Sequence, residues 1–166
     1  MSNKIYFKFL ILITVLAFST LTAKSQLVEY NKRFIYGYSS FDARNGTKTI
    51  ASNGNYRLDF QSDANLVLYN GSTALWNSRT AGREGGGLDL VFSINGAISL
   101  THFNGRWWSG SLWTADRAIW VLQDDGNFVG YSDYTMVGNY ITAMGHVLGS
   151  TNTAGGKVSN RNGRLR

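Results

Sequence analysis

The sequence predicts an all-β protein assembled from related segments, and three observations carry that expectation. The chain of 166 residues has 19 Gly, no Pro and 14% aromatic residues, a composition suited to short strands joined by Gly and Asn turns. No stretch sustains a helical period. Most tellingly, Gln-Ser-Asp-Ala-Asn-Leu-Val-Leu-Tyr at 61–69 recurs as Gln-Asp-Asp-Gly-Asn-Phe-Val-Gly-Tyr at 123–131. Five identities fall in register at alternate positions: Gln61, Asp63, Asn65, Val67, Tyr69 and Gln123, Asp125, Asn127, Val129, Tyr131. Internal repetition of this kind defines architecture before any local reading does.

A third copy lies between these two. Aligning Gln61 with Ser93 matches Leu58 to Leu90, Phe60 to Phe92, Leu66 to Ile98, Leu68 to Leu100 and Trp76 to Trp108. The apolar positions survive in this middle copy, as a shared core requires. The five marked positions do not: they become Ser93, Asn95, Ala97, Ser99 and Thr101. Polar residues dropped from one copy without loss of the core read as dispensable for folding, and therefore as residues that bind something.

Taken in order, the chain opens with a leader. Lys4 and Lys8 precede the apolar run from Phe9 to Phe18, and Ala23-Lys24-Ser25 fits a small-x-small cleavage site. Residues 1–25 read as a secretory signal peptide, which predicts a secreted or extracytoplasmic protein. The run is too short for a membrane span, and no later stretch approaches the ~20 apolar residues one needs, so no stable membrane insertion is expected. The mature chain suits one domain, 26–156. It has no Cys, so packing alone must hold it. Residues 27–38 read as an opening strand, and 42–46 and 52–55 as turns. The repeats then run over about 56–82, 88–111 and 112–156, with a Gly-rich linker at 83–87. The third carries an insertion near 132–145. Its ending, 148–155, echoes 75–82.

Formal net charge is +6. Lys4, Lys8 and Lys24 leave with the leader, and Lys157, Arg161, Arg164 and Arg166 crowd the last ten residues, so the body is close to neutral. A basic tail can touch nucleic acid or acidic membrane, but such an end is more often simply solvated, so no nucleic-acid partner is expected. The basic end, 157–166, is expected to be solvated and disordered.

Around each motif the pattern describes a hairpin. Tyr56, Leu58 and Phe60 alternate with polar residues, and Leu66 and Leu68 alternate with Asn65, Val67 and Tyr69. Ser62-Asp63-Ala64-Asn65 and Asp124-Asp125-Gly126-Asn127 supply turn chemistry. Alternation sends Asn65, Val67 and Tyr69 to one face and the leucines to the core. The turn brings Gln61 and Asp63 beside them. Such a face holds two amides, a carboxylate, a phenol and one apolar contact. Adjacent sugar hydroxyls both donate and accept, and they satisfy that set.

The spaced pattern Gln-x-Asp-x-Asn-x-Val-x-Tyr resembles the carbohydrate-binding signature of the bulb-type, monocot mannose-binding lectin family. The endings 76–80 and 149–153 are similar to that family's Trp-Ala-Ser-Asn-Thr segment. The resemblance covers about residues 27–156. It implies a β-prism II fold, three antiparallel sheets around a pseudo-threefold axis, each with a potential sugar site. It implies that Gln61, Asp63, Asn65, Val67 and Tyr69, and likewise Gln123, Asp125, Asn127, Val129 and Tyr131, bind mannose-type glycans. By the same resemblance the polar residues bond hydroxyls, with the Asp and Asn at the axial 2-hydroxyl, while Val packs on the ring; no metal or cofactor takes part. Three departures stand out. The middle copy lacks the site, Ala64 replaces a disulfide-forming Cys of plant members, and Leu68 and Trp76 become Gly130 and Gly149, which predicts a looser third sheet.

Competing chemistry is weaker at each point. Trp76 and Trp108 occupy equivalent positions, so Trp76, Trp107, Trp108, Trp113 and Trp120 read as core rather than sugar platforms. Asp124-Asp125 lacks the spaced further carboxylates of a calcium loop. His102 and His146 lack zinc spacing. Asp63 and Asp125 sit in separate repeats and do not suit a glycosidase pair. The remaining alternative is a scaffold of the same fold acting as a protein-interaction or toxin-like module. Homo-oligomerisation stays open.

Overall fold

The computed structural model describes residues 32–82, 89–102, 105–111, 115–138 and 140–165, with only the backbone of 102, 105–107, 109 and 111. The leader, the 83–87 linker, Trp113 and the side chains of His102 and Trp107 therefore lie outside the described residues.

Alternation of apolar and polar residues, punctuated by Gly and Asn, yields strands of three to seven residues. Three successive strands come first: β1 (Phe34–Tyr36), β2 (Ser39–Asp42) and β3 (Lys48–Asn53). They do not pair with one another. Each begins a different four-stranded antiparallel sheet. The first sheet combines β3 with β4 (Tyr56–Phe60), β5 (Leu66–Asn70) and β6 (Thr73–Asn77). The second combines β2 with β7 (Asp89–Phe92), β8 (Ile98–His102) and β9 (Gly105–Ser111). In the third, β1 joins β10 (Ala118–Leu122) and β11 (Phe128–Ser132). Between β11 and that sheet's last strand stands a hairpin of β12 (Thr135–Val137) and β13 (Tyr140–Ala143). Strand β14 (Val147–Ser150) then closes the third sheet.

The expected single opening strand over 27–38 is thus cut at Gly37. The Gly37 N–H donates to Ala118 in the third sheet, and the Tyr38 N–H donates to Phe92 in the second. The chain crosses between sheets within two residues. A Cβ at Gly37 would stand 2.5 Å from the Ile94 Cα, so only glycine permits the crossing.

The inner faces meet in one core. Residues in register form a row across each sheet: Leu58, Leu68, Trp76 in the first and Leu90, Leu100, Trp108 in the second. The corresponding row of the third sheet is Trp120, Gly130, Gly149. The expectation of a looser third sheet does not hold, because the indole has moved to another strand. Trp120 is wholly buried, stacks on Phe128 at 5.3 Å and meets Phe92 edge-on at 6.5 Å. A Cβ at Gly130 would lie 2.7 Å from its ring. The glycine makes room for the indole that replaces the leucine pair.

Gly149 answers a different need. A Cβ there would fall 2.2 Å from the Leu165 carbonyl oxygen. The basic end is docked, not disordered. Ser159 N–H donates to Leu75 O at 2.7 Å, Gly163 N–H to Asn77 O at 2.7 Å and Leu165 N–H to Gly110 O at 3.2 Å. The Trp76 indole N–H donates to the Arg161 and Arg164 carbonyls, both at 3.1 Å, and that of Trp108 to Gly163 O at 3.3 Å. Leu165 is fully buried in the common core, while Lys157, Arg161 and Arg164 stay exposed. Charge composition predicts solvation of those side chains correctly. It is silent on the backbone that the two indoles hold.

Leu165→Ala is expected to destabilise the domain by ~2–5 kcal/mol, the cost of truncating a buried leucine. Urea unfolding of the two proteins checks this; equal midpoints would mean that the tail does not dock in solution.

Candidate functional site

Each marked motif is built on a tight turn between two strands of its sheet. In the first, Gln61 N–H donates to Asn65 O at 2.8 Å and Ala64 N–H to Gln61 O at 2.9 Å. The second repeats this with Gln123, Asn127 and Gly126 at 2.9 and 3.0 Å. The middle copy does the same with Ser93, Ala97 and Gly96 at 2.8 and 3.0 Å. The third turn residue takes a left-handed backbone in all three, with φ of 69° at Ala64, 86° at Gly96 and 80° at Gly126.

The aspartates help make these turns. Asp63 Oδ1 accepts the Asn65 N–H and Asp125 Oδ1 the Asn127 N–H, each at 2.9 Å. Asn95 does the same for the Ala97 N–H at 3.2 Å. The asparagines tie the turn to the sheet's last strand and its exit. Asn65 Oδ1 accepts from the Ser78 hydroxyl at 3.0 Å and the Thr80 N–H at 3.3 Å. Asn127 Oδ1 accepts from the Thr151 hydroxyl and the Thr153 N–H, both at 3.2 Å. Beneath them lies a buried hydroxyl pair, Ser78–Thr80 at 2.6 Å and Thr151–Thr153 at 2.8 Å. Thr80 and Thr153 donate onward to Ala64 O and Gly126 O. The echo between 75–82 and 148–155 is therefore a repeated set of bonds, down to Gly82 and Gly155 donating to Asp63 O and Asp125 O.

This corrects the inference that the marked polar residues are dispensable for folding. One oxygen of each Asp and of each Asn holds the turn. The middle copy keeps the first bond by using Asn95 and forgoes the second at Ala97.

What remains is a matching pair of outward faces. Gln61 Nε2 donates to the Tyr69 hydroxyl at 2.9 Å, and Gln123 Nε2 to that of Tyr131 at 2.7 Å. A backbone N–H can only donate, so each Asn must turn its oxygen inward and its Nδ2 away. Among the described residues, Gln61 Oε1, Asp63 Oδ2 and Asn65 Nδ2 then have no hydrogen-bond partner, and the Tyr69 hydroxyl proton is available. The second motif leaves the same atoms. Each face thus presents two acceptors and two donors, with Val67 or Val129 beneath them only 3% exposed. The inserted hairpin does not bury the second face: Asp125 is exposed, and Gln123, Asn127 and Tyr131 are half-buried like Gln61, Asn65 and Tyr69. The middle face has no comparable set. Ser99 is buried and the Thr101 hydroxyl donates to Asp89 O at 3.3 Å.

Beyond the motif, the two faces part company. Strand pairing sets Arg57 opposite Tyr69, and its guanidinium lies 4.4 Å above that ring. Arg57 Nε donates to the buried Asp59 at 2.8 Å, Asp59 also accepts from Thr49 at 2.7 Å, and Arg57 further bonds Gly71 O. In the third sheet Ile119 stands opposite Tyr131 and Val121 opposite Val129. Arg57 and Asp59 share the alternation of Gln61, and that parity alone marks them in the sequence. Asp124 is engaged separately by Arg33 at 2.5 Å and Asn53 at 3.0 Å.

Asn65→Ala is expected to cost ~1–3 kcal/mol, because it orphans the Thr80 N–H and loosens the buried hydroxyls. Leu66→Ala should cost more, ~2–5 kcal/mol. Thermal melts rank the two; a neutral Asn65→Ala would return the residue to a purely external role.

No protein-family model and no curated protein matches the sequence. Solved structures do. A monomeric monocot mannose-binding lectin from Gastrodia elata aligns with a TM-score of 0.57 at 22% identity, covering 74% of this chain and 98% of that one. The snowdrop (Galanthus nivalis) mannose-specific agglutinin, solved with methyl-α-D-mannoside, aligns at 0.54 and 19% identity, covering 67% and 99%. An Allium sativum lectin aligns at 0.51 and 29% identity, covering 63% and 99%. The chain thus has the β-prism II fold of the monocot mannose-binding lectins.

Proposed function

We propose that this chain is a secreted carbohydrate-binding protein that recognises mannose or mannose-containing glycans without catalysis. It would do so at Gln61, Asp63, Asn65, Val67, Tyr69 and at Gln123, Asp125, Asn127, Val129, Tyr131. The observation that carries the reading is the identical set of outward donors and acceptors left by both motifs once their turns are made. Hydroxyls that donate and accept at once suit such a set. The folds of the mannose-specific neighbours support the same assignment, and the leader at 1–25 supports export. A single shallow site should hold a monosaccharide weakly, at about millimolar or roughly −4 kcal/mol. Useful strength would come from engaging both sites on one glycan surface.

The middle copy supplies the test. Asn95 shows that an asparagine can make the Asp63 turn bond. Asp63→Asn with Asp125→Asn should therefore fold normally while replacing an outward acceptor by a donor. Losing a charged acceptor costs ~1.5–3 kcal/mol, so mannose affinity should fall at least about tenfold. Titration calorimetry reads this directly, with melts confirming the fold. A double variant that still binds mannose would place the site elsewhere.

Mannose should compete for a mannan surface better than glucose or galactose, since an equatorial 2-hydroxyl, or a misplaced 4-hydroxyl, leaves polar groups badly paired. Binding should also persist in EDTA. Equal competition by all three sugars, or a calcium-restored loss in EDTA, would overturn these expectations.

A further inference from the structure

The chain beside Tyr131 is unlike the chain beside Tyr69. On the outer face of the third sheet, Phe34, Ile119 and Val121 are buried, and Tyr36, Tyr131, Tyr134 and Ile141 pack against them. Strand pairing places Tyr36 beside Ile119 and Ile119 beside Tyr131. The apolar surface therefore runs from the second motif directly to the root of the inserted hairpin. There the Tyr36 and Tyr134 rings lie 5.9 Å apart and tilted by 53°. Both are half-buried, so each keeps part of its surface in solvent. The exposed Arg117 sits 5.0 Å over Tyr134 and donates to its carbonyl at 2.9 Å.

This root is closed by a set of backbone hydrogen bonds. Ser132 N–H donates to His146 O at 2.9 Å, and Gly145 N–H to Ser132 O at 2.8 Å. His146 N–H donates to the Ser132 hydroxyl at 3.0 Å, and Asp133 N–H to Arg117 O at 2.7 Å. Gly145 closes the pinch, for a Cβ there would come within 2.7 Å of Ser132 O. Burial first, and then neighbouring Tyr134, push the Tyr36 phenol above its ordinary range.

Aromatic rings that keep part of their surface in solvent, with phenol hydroxyls at their edges and the Arg117 guanidinium on one side of Tyr134, match the next residue of a glycan: C–H groups on the ring face and hydroxyls around it. We propose that the second motif is one half of an extended oligosaccharide site, with Tyr36, Tyr134 and Arg117 receiving the sugar adjacent to the mannose. Among the described residues the first motif has no counterpart: the arginine there, Arg57, is already engaged by Asp59 and Gly71. The inference rests on the mannose reading above. It adds that the two sites differ in the length of glycan they select, the first reading one residue and the second at least two.

Titration calorimetry with methyl α-mannoside and an α-linked mannotriose separates the sites. Asp63→Asn leaves the second site alone, and Asp125→Asn leaves the first. The second site should bind the triose about tenfold more tightly than the monosaccharide, the scale of one aromatic contact. The first should bind both alike. Adding Tyr134→Ala to Asp63→Asn should erase the preference and leave methyl α-mannoside unchanged. If that variant does not fold, Arg117→Ala, at an exposed position, should still lower the preference. A preference shared equally by both sites, or one that survives both substitutions, overturns the proposal while leaving the mannose reading intact. Absence of binding to either ligand by either single-site protein would overturn both.

Discussion

The structure depends on a single core that three sheets must fill from three sides. Leu58–Leu68–Trp76 and Leu90–Leu100–Trp108 are two solutions of one pattern. A third identical row is absent, and its volume is made up in two pieces. Trp120 fills the space above Gly130, and Leu165 closes the end beside Gly149. Close packing leaves no tolerance for a missing indole, so the substitution of two glycines is linked to the placement of a residue from the extreme end of the chain. The basic tail is for this reason part of the prism, held through the indole N–H groups of the two sheets that kept their tryptophans.

The outward faces depend on the same frame through the turns. Asp63 and Asn65 each serve two directions, with one oxygen bonded inward to the turn and the other polar atom presented outward. This division orients the amide unambiguously, because the Thr80 N–H admits only an oxygen. A face built so has its donors and acceptors fixed before any ligand arrives, which lowers the ordering cost of binding. It also means that substitutions differ in kind at neighbouring atoms of one side chain. Changing the carboxylate of Asp63 to an amide alters only the outer atom, whereas removing the Asn65 side chain disturbs both.

Much of this was legible in the residues themselves. The alternation of Tyr56, Leu58 and Phe60, and of Leu66 and Leu68, sorts core from surface because strand geometry has a period of two. The repeated Asp-x-Asn marks the turns because its bonds are local. What escaped the sequence is what depends on partners far away. The bond from Gly37 to Ala118 and that from Leu165 to Gly110 leave no local signature. The compensation of Gly130 by Trp120 needs strand register to be seen, since aligning repeats by sequence compares Gly130 with Leu68 and stops there. The dual role of Asn65 escaped for a related reason: its loss at Ala97 looks like freedom from structure when the bond has simply been given up.

The dealing of β1, β2 and β3 to three different sheets carries a consequence for the order in which the chain can acquire its form. Of the three four-stranded sheets, only that of β3 to β6 is made wholly from consecutive strands, so it can assemble entirely from local contacts. Strand β1 must wait, unpaired, until β10 is in place, and the ends of Trp76 and Trp108 stay uncovered until 161–164 dock. Closure of such long loops precedes the contacts that reward it, which makes folding slow. The cost of a closed three-sided prism is therefore a long interval in which its apolar rows stay exposed.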